Sequence, residues 1–190
     1  MRISGGGARG IPLRVPKGDA VRPATDALRQ AVFSSLAHRI PGARFLDLFA
    51  GSGAYGLEAL SRGAAEGVFV ENNFQALGCL RQNLAAVCKS LGRGEDGVAV
   101  LAADATKAPL GHGAAPDLIF IDPPYDLIAG IAPGLFARLE AMLAPSSDAV
   151  VVFEMPGEME LAPPGWTCRK RLGKGGRQPT VAFFQRVAGA

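Results

Sequence analysis

The sequence is poor in histidine and cysteine, and the few it has are badly placed for chemistry. Its two histidines, His38 and His112, leave little material for a histidine metal site or a histidine general base. Its three cysteines, Cys79, Cys88 and Cys168, are odd in number and widely spaced, with no Cys-x-x-Cys pair. That pattern argues against both a disulfide framework and a zinc site, and it predicts buried thiols and no metal. No apolar run approaches the ~20 residues that span a bilayer. The opening Met1-Arg2-Ile3-Ser4-Gly5-Gly6-Gly7 has no apolar stretch of the signal-peptide kind, which points to the cytoplasm. Aromatic residues make up only 7% and charged residues 19%, against 48% hydrophobic. This is the balance of a compact chain whose parallel strands are buried on both faces. The 190 residues suffice for one core with a small appendage, and a monomer is expected.

Acid is missing from one stretch altogether. The last 25 residues hold six basic side chains and no carboxylate, residues 1–22 hold five against one, and residues 23–165 hold nine against sixteen. An acidic middle thus lies between two basic ends within a chain of net charge +3. Such a separation suits an anionic polymer held at one edge while a different task is done in the centre; ordinary surface charge is the alternative.

Residues 1–16 mix basic and apolar positions around Gly5-Gly6-Gly7, which predicts a short β-hairpin. We read residues 1–22 as a basic arm and residues 23–190 as the main domain. After Arg22 and Pro23, Thr25 or Asp26 is placed to cap a helix with Leu28, Val32 and Leu36 on one stripe, ended by Pro41 and Gly42. Short apolar runs at 45–49, 68–70, 98–101, 118–121 and 150–153 read as buried strands. Helical patterns separate them, clearest in Leu77, Leu80, Leu84, Val87 and Leu91. The alternation predicts a mostly parallel, doubly wound α/β sheet with helices on both faces. Two more candidate strands, 166–172 and 180–186, are joined by the glycine-rich segment 173–177.

Behind the first strand, with Asp47 and Phe49 near its end and Ala50 next, comes Gly51-Ser52-Gly53-Ala54-Tyr55-Gly56. This is Gly-x-Gly-x-x-Gly between a strand and a helix. Gly51 and Gly53 let the backbone turn sharply and approach a ligand, and Gly56 lets the helix approach the sheet. Dinucleotide enzymes and methyltransferases share the motif, and glycine turns without a ligand also occur. Glu71 ends the second strand, where a carboxylate can accept hydrogen bonds from both hydroxyls of a ribose, and Asn72 follows it. Asp104, followed by Ala105, holds the corresponding place after the third strand and can accept from an adenine amino group. Either acid could instead be a solvated strand-end residue or a helix cap.

The fourth strand runs directly into Asp122-Pro123-Pro124-Tyr125, which we read as a catalytic loop. The lone pair of an aromatic amino group is delocalised into its ring, so methylation requires the nitrogen to be held with that lone pair aimed at the methyl donor. Two acceptors do this: the Asp122 carboxylate and the carbonyl of Pro123. Neither Pro123 nor Pro124 has an N–H to compete as a donor. Tyr125 offers a face on which an extruded base can stack. The sulfonium of S-adenosylmethionine supplies the driving force, and S-adenosylhomocysteine is the product. Methyl transfer leaves a cation that sheds a proton easily, so Asp122 need not be a strong base. The alternative is a proline-rich loop with a capping aspartate.

These residues resemble a known family, the RsmD methyltransferases, which act on the N2 amino group of a guanine in 16S ribosomal RNA. The resemblance rests on Arg2-Ile3-Ser4-Gly5-Gly6 with Arg9-Gly10, Arg22-Pro23-Ala24-Thr25-Asp26, the glycine loop, Gly56-Leu57-Glu58-Ala59-Leu60-Ser61-Arg62-Gly63-Ala64, and Asp122-Pro123-Pro124-Tyr125. The last motif alone is shared with adenine-N6 methyltransferases acting on DNA or RNA. The resemblance implies a Rossmann-like class I methyltransferase with a seven-stranded sheet, an arm that helps hold RNA through Arg2, Arg9, Arg14 and Arg22, and a substrate presented in the small ribosomal subunit. The family usually has an acid where Asn73 stands here.

Overall fold

The computed structural model describes residues 1–16, 24–110, 114–144, 147–173, 176 and 178–187. Helix α1 (Ala24–Ser35) precedes β1 (Arg44–Leu48), α2 (Ala54–Ser61), β2 (Glu66–Glu71), α3 (Phe74–Ser90) and β3 (Val98–Ala102). Then follow β4 (Leu118–Ile121), a 3₁₀ turn (Tyr125–Leu127), α4 (Ile128–Met142), β5 (Val150–Pro156), β6 (Trp166–Leu172) and β7 (Pro179–Arg186). The strands form one seven-stranded sheet in the order β3-β2-β1-β4-β5-β7-β6. Strands β1 to β5 are parallel, and β7 runs antiparallel to both β5 and β6.

Alternation along each strand divides the core into two layers. Phe45, Phe69, Phe120 and Val152 join residues of α1, α2 and α3 on one face. Leu46, Ile119, Ile121, Val151 and Phe153 pack against α4 on the other. Each expected strand is present, with helices on both faces. Helix α4 is harder to see in the sequence because Gly130, Pro133 and Gly134 interrupt it, yet Ile128, Ala132, Leu135, Phe136 and Leu139 form a buried stripe at helical spacing. Among the described residues the β3–β4 connection contains no helix.

Two local expectations need correction. Helix α1 already includes Thr25 and Asp26, so neither stands before it as a cap; Asp26 instead pairs with Arg29 one turn on, at 2.9 Å. Of the three thiols only Cys88 is buried. Cys168 is exposed because β6 is an edge strand, and Cys79 lies on the half-exposed side of α3.

Residues 1–16 fold back on themselves. Arg2 bridges Pro12 in antiparallel sense, the Ile3 N–H donates to the Ile11 carbonyl (3.0 Å), and the Gly10 N–H donates to the Ile3 carbonyl (2.9 Å). Ile3, Ala8 and Leu13 are buried in the same cluster as Phe33. What docks this segment is a carboxylate with no solvent exposure, that of Glu58 in α2. It accepts from the backbone N–H of Ser4 (2.8 Å), the Ser4 hydroxyl (2.7 Å) and the Arg62 guanidinium (2.8 Å), with the buried Arg29 guanidinium 3.7 Å away. Approach here is very close. Gly6 has φ +78°, and a Cβ on it would lie 1.9 Å from the Ser61 carbonyl oxygen, so no side chain fits. A second clamp is Asn83 of α3, which accepts from the Arg14 N–H and donates to the carbonyls of Arg14 and Ser52.

Removing one partner of a buried ion pair leaves the other charge uncompensated, at a cost of about 3–5 kcal/mol. Glu58→Ala is therefore expected to lower unfolding stability by about that amount, with Glu58→Gln losing less, as measured by urea denaturation. A change below about 0.5 kcal/mol would show that the network does not hold the fold.

Candidate active site

In an open parallel sheet, ligands bind beyond the carboxyl ends of the strands where the strand order reverses. Here that point is β1, whose neighbours β2 and β4 lead to opposite halves of the sheet. A cavity of about 910 Å³ opens there. Phe49, Ala50, Gly51, Ser52, Glu71 and Asn72 line it together with Asp122, Pro123, Pro124 and Tyr125. The two motifs read from the sequence are thus walls of one chamber.

The glycine turn is held by carboxylates. Glu71, at the end of β2, accepts from the backbone N–H of Gly51 (2.7 Å), Asn72 (2.9 Å) and Asn73 (2.7 Å). A carboxylate has roughly four lone-pair directions. Three are used within the protein, one on Oε2 and two on Oε1, and the carboxylate still lines the cavity. Asp47, 1% exposed, accepts from the Gly56 N–H at 2.9 Å and supports the turn from beneath, outside the cavity lining. A Cβ on Gly56 would stand 2.3 Å from the Phe69 ring, so the helix approaches the sheet as closely as the motif predicts. At Gly51 a Cβ would meet nothing within 4 Å, which leaves open space beside the turn. Phe49 has φ +59°, a strained conformation at the rim of the cavity.

Asp104 and Ala105 are not brought into this lining. Asp104 accepts from the Thr106 N–H (2.8 Å) and hydroxyl (2.7 Å) and lies 3.6 Å from the Lys107 ammonium, and the Thr106 hydrogen bonds hold its carboxyl below its ordinary range. Ala105 is buried, with Arg138 donating to its carbonyl at 3.2 Å. Asn73 caps α3 by accepting from the Gln75 and Ala76 N–H groups at 3.0 Å each. The Asp122 loop is tied to the sheet through its own N–H, which donates to the Leu48 carbonyl at 3.4 Å, and the Leu127 N–H closes the turn on the Pro124 carbonyl at 3.0 Å. Of the expected arginines, Arg2, Arg9 and Arg14 are exposed, and Arg22 lies outside the described residues.

Several cavity residues escaped the sequence reading. Arg29 and Glu154 both line it, and Tyr55 donates its hydroxyl to Glu154 at 2.8 Å. Burial, followed by the negative charges of Glu154 and Asp122, pushes the Tyr55 phenol well above its ordinary range. Signals for two of them were present. Arg29 falls with Val32, Phe33 and Leu36 on the apolar side of α1, and Glu154 is the lone acid within a strand of otherwise apolar residues. From the N-terminal segment, Met1, Val15 and Pro16 also reach the wall.

The family described as "Conserved hypothetical protein 95" matches residues 1–184 of this chain. The Escherichia coli "Ribosomal RNA small subunit methyltransferase D" is 33% identical over 190 residues, covering 99% of this chain and 91% of that protein. The chain belongs to this family, the RsmD family. The solved Escherichia coli yhhF structure superposes with a TM-score of 0.79 at 32% identity, covering 98% and 97% of the two chains. The Salinibacter ruber RNA methyltransferase, solved with S-adenosyl-L-homocysteine, shares the fold at TM-score 0.60 and 17% identity, over 88% and 92%. The family consists of S-adenosylmethionine-dependent methyltransferases, and the seven-stranded sheet is the class I form of that fold.

Burial pushes the Asp47 carboxyl up to about 7, the Glu71 charge adds to the rise, and the Gly56 N–H opposes it. An unfolded aspartate titrates near ~3.9, so this group's contribution to stability is complete below about pH 4 and is lost as pH rises through 7. Asp47→Asn keeps an acceptor for Gly56 but does not titrate. The stability of wild type relative to this variant should fall between pH 4 and pH 8 in urea titrations, and parallel pH profiles would contradict the assignment.

Proposed function

We propose that this chain transfers a methyl group from S-adenosylmethionine to the N2 amino group of a guanine in 16S ribosomal RNA, within the small ribosomal subunit. The observation that carries the reading is the single cavity shared by the glycine turn with Glu71 and by the Asp122 to Tyr125 loop. The name of the Escherichia coli relative supports the RNA substrate. Residues 1–22 then act as an RNA-holding arm on a methyltransferase domain of 23–190, working as a monomer in the cytoplasm.

The residues fit the cofactor. Open space at Gly51 lets a nucleoside lie against the backbone, and Glu71 and Asn72 stand where a ribose would. When bound, S-adenosylmethionine supplies an electrophilic methyl on a sulfonium. Asp122 and the Pro123 carbonyl accept the two amino hydrogens and turn the nitrogen lone pair towards the donor. Tyr125, at the same wall, stacks on the extruded base and replaces part of its lost stacking. The proton shed after transfer passes to Asp122 or to solvent. Arg2 and Arg14 are exposed and adjoin the wall residues Met1 and Val15 in the chain, which supports an RNA-holding role for this segment.

With labelled S-adenosylmethionine and assembled small subunits or naked 16S ribosomal RNA, the methyl group should map to one guanosine as N2-methylguanosine. Recovery of N6-methyladenosine would instead favour the adenine reading. Asp122→Ala should reduce turnover by at least ~100-fold while leaving S-adenosylmethionine binding intact by calorimetry; undiminished turnover defeats the mechanism. Neutralising Arg2, Arg9 and Arg14 together should flatten the salt dependence of RNA binding by a slope of roughly 2–3 if each meets a phosphate. An unchanged slope returns them to ordinary surface charge.

A further inference from the structure

Asp122 is not the only carboxylate at the reacting end of the cavity. Strands β4 and β5 pair in parallel with Ile121 opposite Phe153, so Asp122, the first residue past β4, comes next beside Glu154 of β5. Adjacent strands lie about 4.8 Å apart. Phe120 and Val152 precede them by two positions and both belong to the same core layer, so the alternation of side chains turns Asp122 and Glu154 to the same face of the sheet. Both line the cavity. Glu154 is 7% exposed and fixed in place, because Tyr55 stacks on Phe120 at 5.4 Å between ring centroids and donates its hydroxyl to Glu154 Oε2. The cavity therefore presents two acceptors side by side, one of them rigid.

We propose that Glu154 selects guanine over adenine by accepting the ring N1–H while Asp122 holds the neighbouring exocyclic amine. The inference rests on the amino-methyltransferase reading above. The edge of guanine carries N1–H directly beside its amino group, so two adjacent acceptors meet adjacent donors. On adenine the atoms flanking the amino group are N1 and, across the ring, N7, and both offer lone pairs. Whichever way adenine is turned, an acceptor lone pair faces the Glu154 carboxylate. A site built around a donor rejects an analogue that lacks it far more strongly than an apolar pocket does. The Asp122 loop alone serves either amine, and Glu154 supplies the discrimination it lacks.

2-Aminopurine probes this contact, since it keeps the 2-amino group but lacks the N1 hydrogen together with O6, and the comparison of wild type with Glu154→Gln separates the Glu154 contribution from the loss of O6. The test uses small subunits reconstituted around 16S ribosomal RNA ligated to carry guanosine or 2-aminopurine riboside at the mapped position. Wild-type enzyme should show a kcat/KM at least ~100-fold higher for guanosine. Glu154→Gln places an amide donor that can face an unprotonated N1, so the ratio should shrink at least tenfold, with S-adenosylmethionine binding retained by calorimetry. Equal methylation of both subunits by wild type, or an unchanged ratio in the variant, overturns the role of Glu154 and leaves the methyltransferase reading standing. If Glu154→Gln does not fold, Tyr55→Phe, which removes the hydroxyl bond that fixes Glu154, takes its place and should also shrink the ratio; an unchanged ratio there overturns the role of Glu154. Failure of wild type to methylate guanosine subunits overturns both.

Discussion

A carboxylate with no solvent exposure, Glu58 in α2, is the constraint around which the N-terminal half of the protein is arranged. A buried charge is tolerated only when it is paired and hydrogen-bonded, and this one draws in two guanidiniums, a hydroxyl and a backbone N–H. Satisfying it pulls residues 1–16 down onto α2. Ser61 adds to the attachment by accepting from the Gly7 N–H through its carbonyl and donating its hydroxyl to the Gly5 carbonyl. The stretch around Ser4 and the stretch around Glu58, which carry much of the family resemblance, are therefore two sides of one contact. Arg29 extends the same network to the cavity wall, and Arg2 shares it through a carbonyl that accepts from Arg29 at 2.7 Å.

The site inherits its order from this arrangement. Asn83 spans the N-terminal segment and the glycine turn, bonding the backbone of Arg14 on one side and the carbonyl of Ser52 on the other. Glu71 then ties Gly51 to the start of the segment leading into α3, and Asp47 ties Gly56 to β1. These three polar side chains keep a turn of small residues in one conformation without filling the space beside it.

Beyond β4 and β5 the cavity wall is acceptor-rich. Asp122, just past the end of β4, and Glu154, within β5, both line the cavity, and an aromatic layer of Phe33, Tyr55 and Phe120 lies beside them, with Tyr55 also bonded to Glu154. The packing of Tyr55 on Phe120 and its hydroxyl bond hold the orientation of the Glu154 carboxylate. The exposed Arg2, Arg9 and Arg14 sit on the segment that Glu58 anchors, and that segment also reaches the cavity wall through Met1, Val15 and Pro16.

Local patterns in the chain determined the strands, the helices between them, the glycine turn and the placement of Asp122 at a strand end. Each of these depends on spacing over a few residues: period two for strands, three to four for helices, and fixed offsets in a turn. Only the tertiary structure decided which distant groups would meet. Ser4 and Glu58 are 54 positions apart and Tyr55 and Glu154 are 99, and no local period encodes such pairs. The same holds for Asp104: its strand-end position matches that of Glu71, but Thr106, two residues on, captures its carboxylate before the cavity can. Sequence reading therefore picked out the glycine turn and the Asp122 to Tyr125 loop that line one cavity, while burial and long-range pairing revealed Arg29, Tyr55 and Glu154 and tied residues 1–16 to α2 and α3.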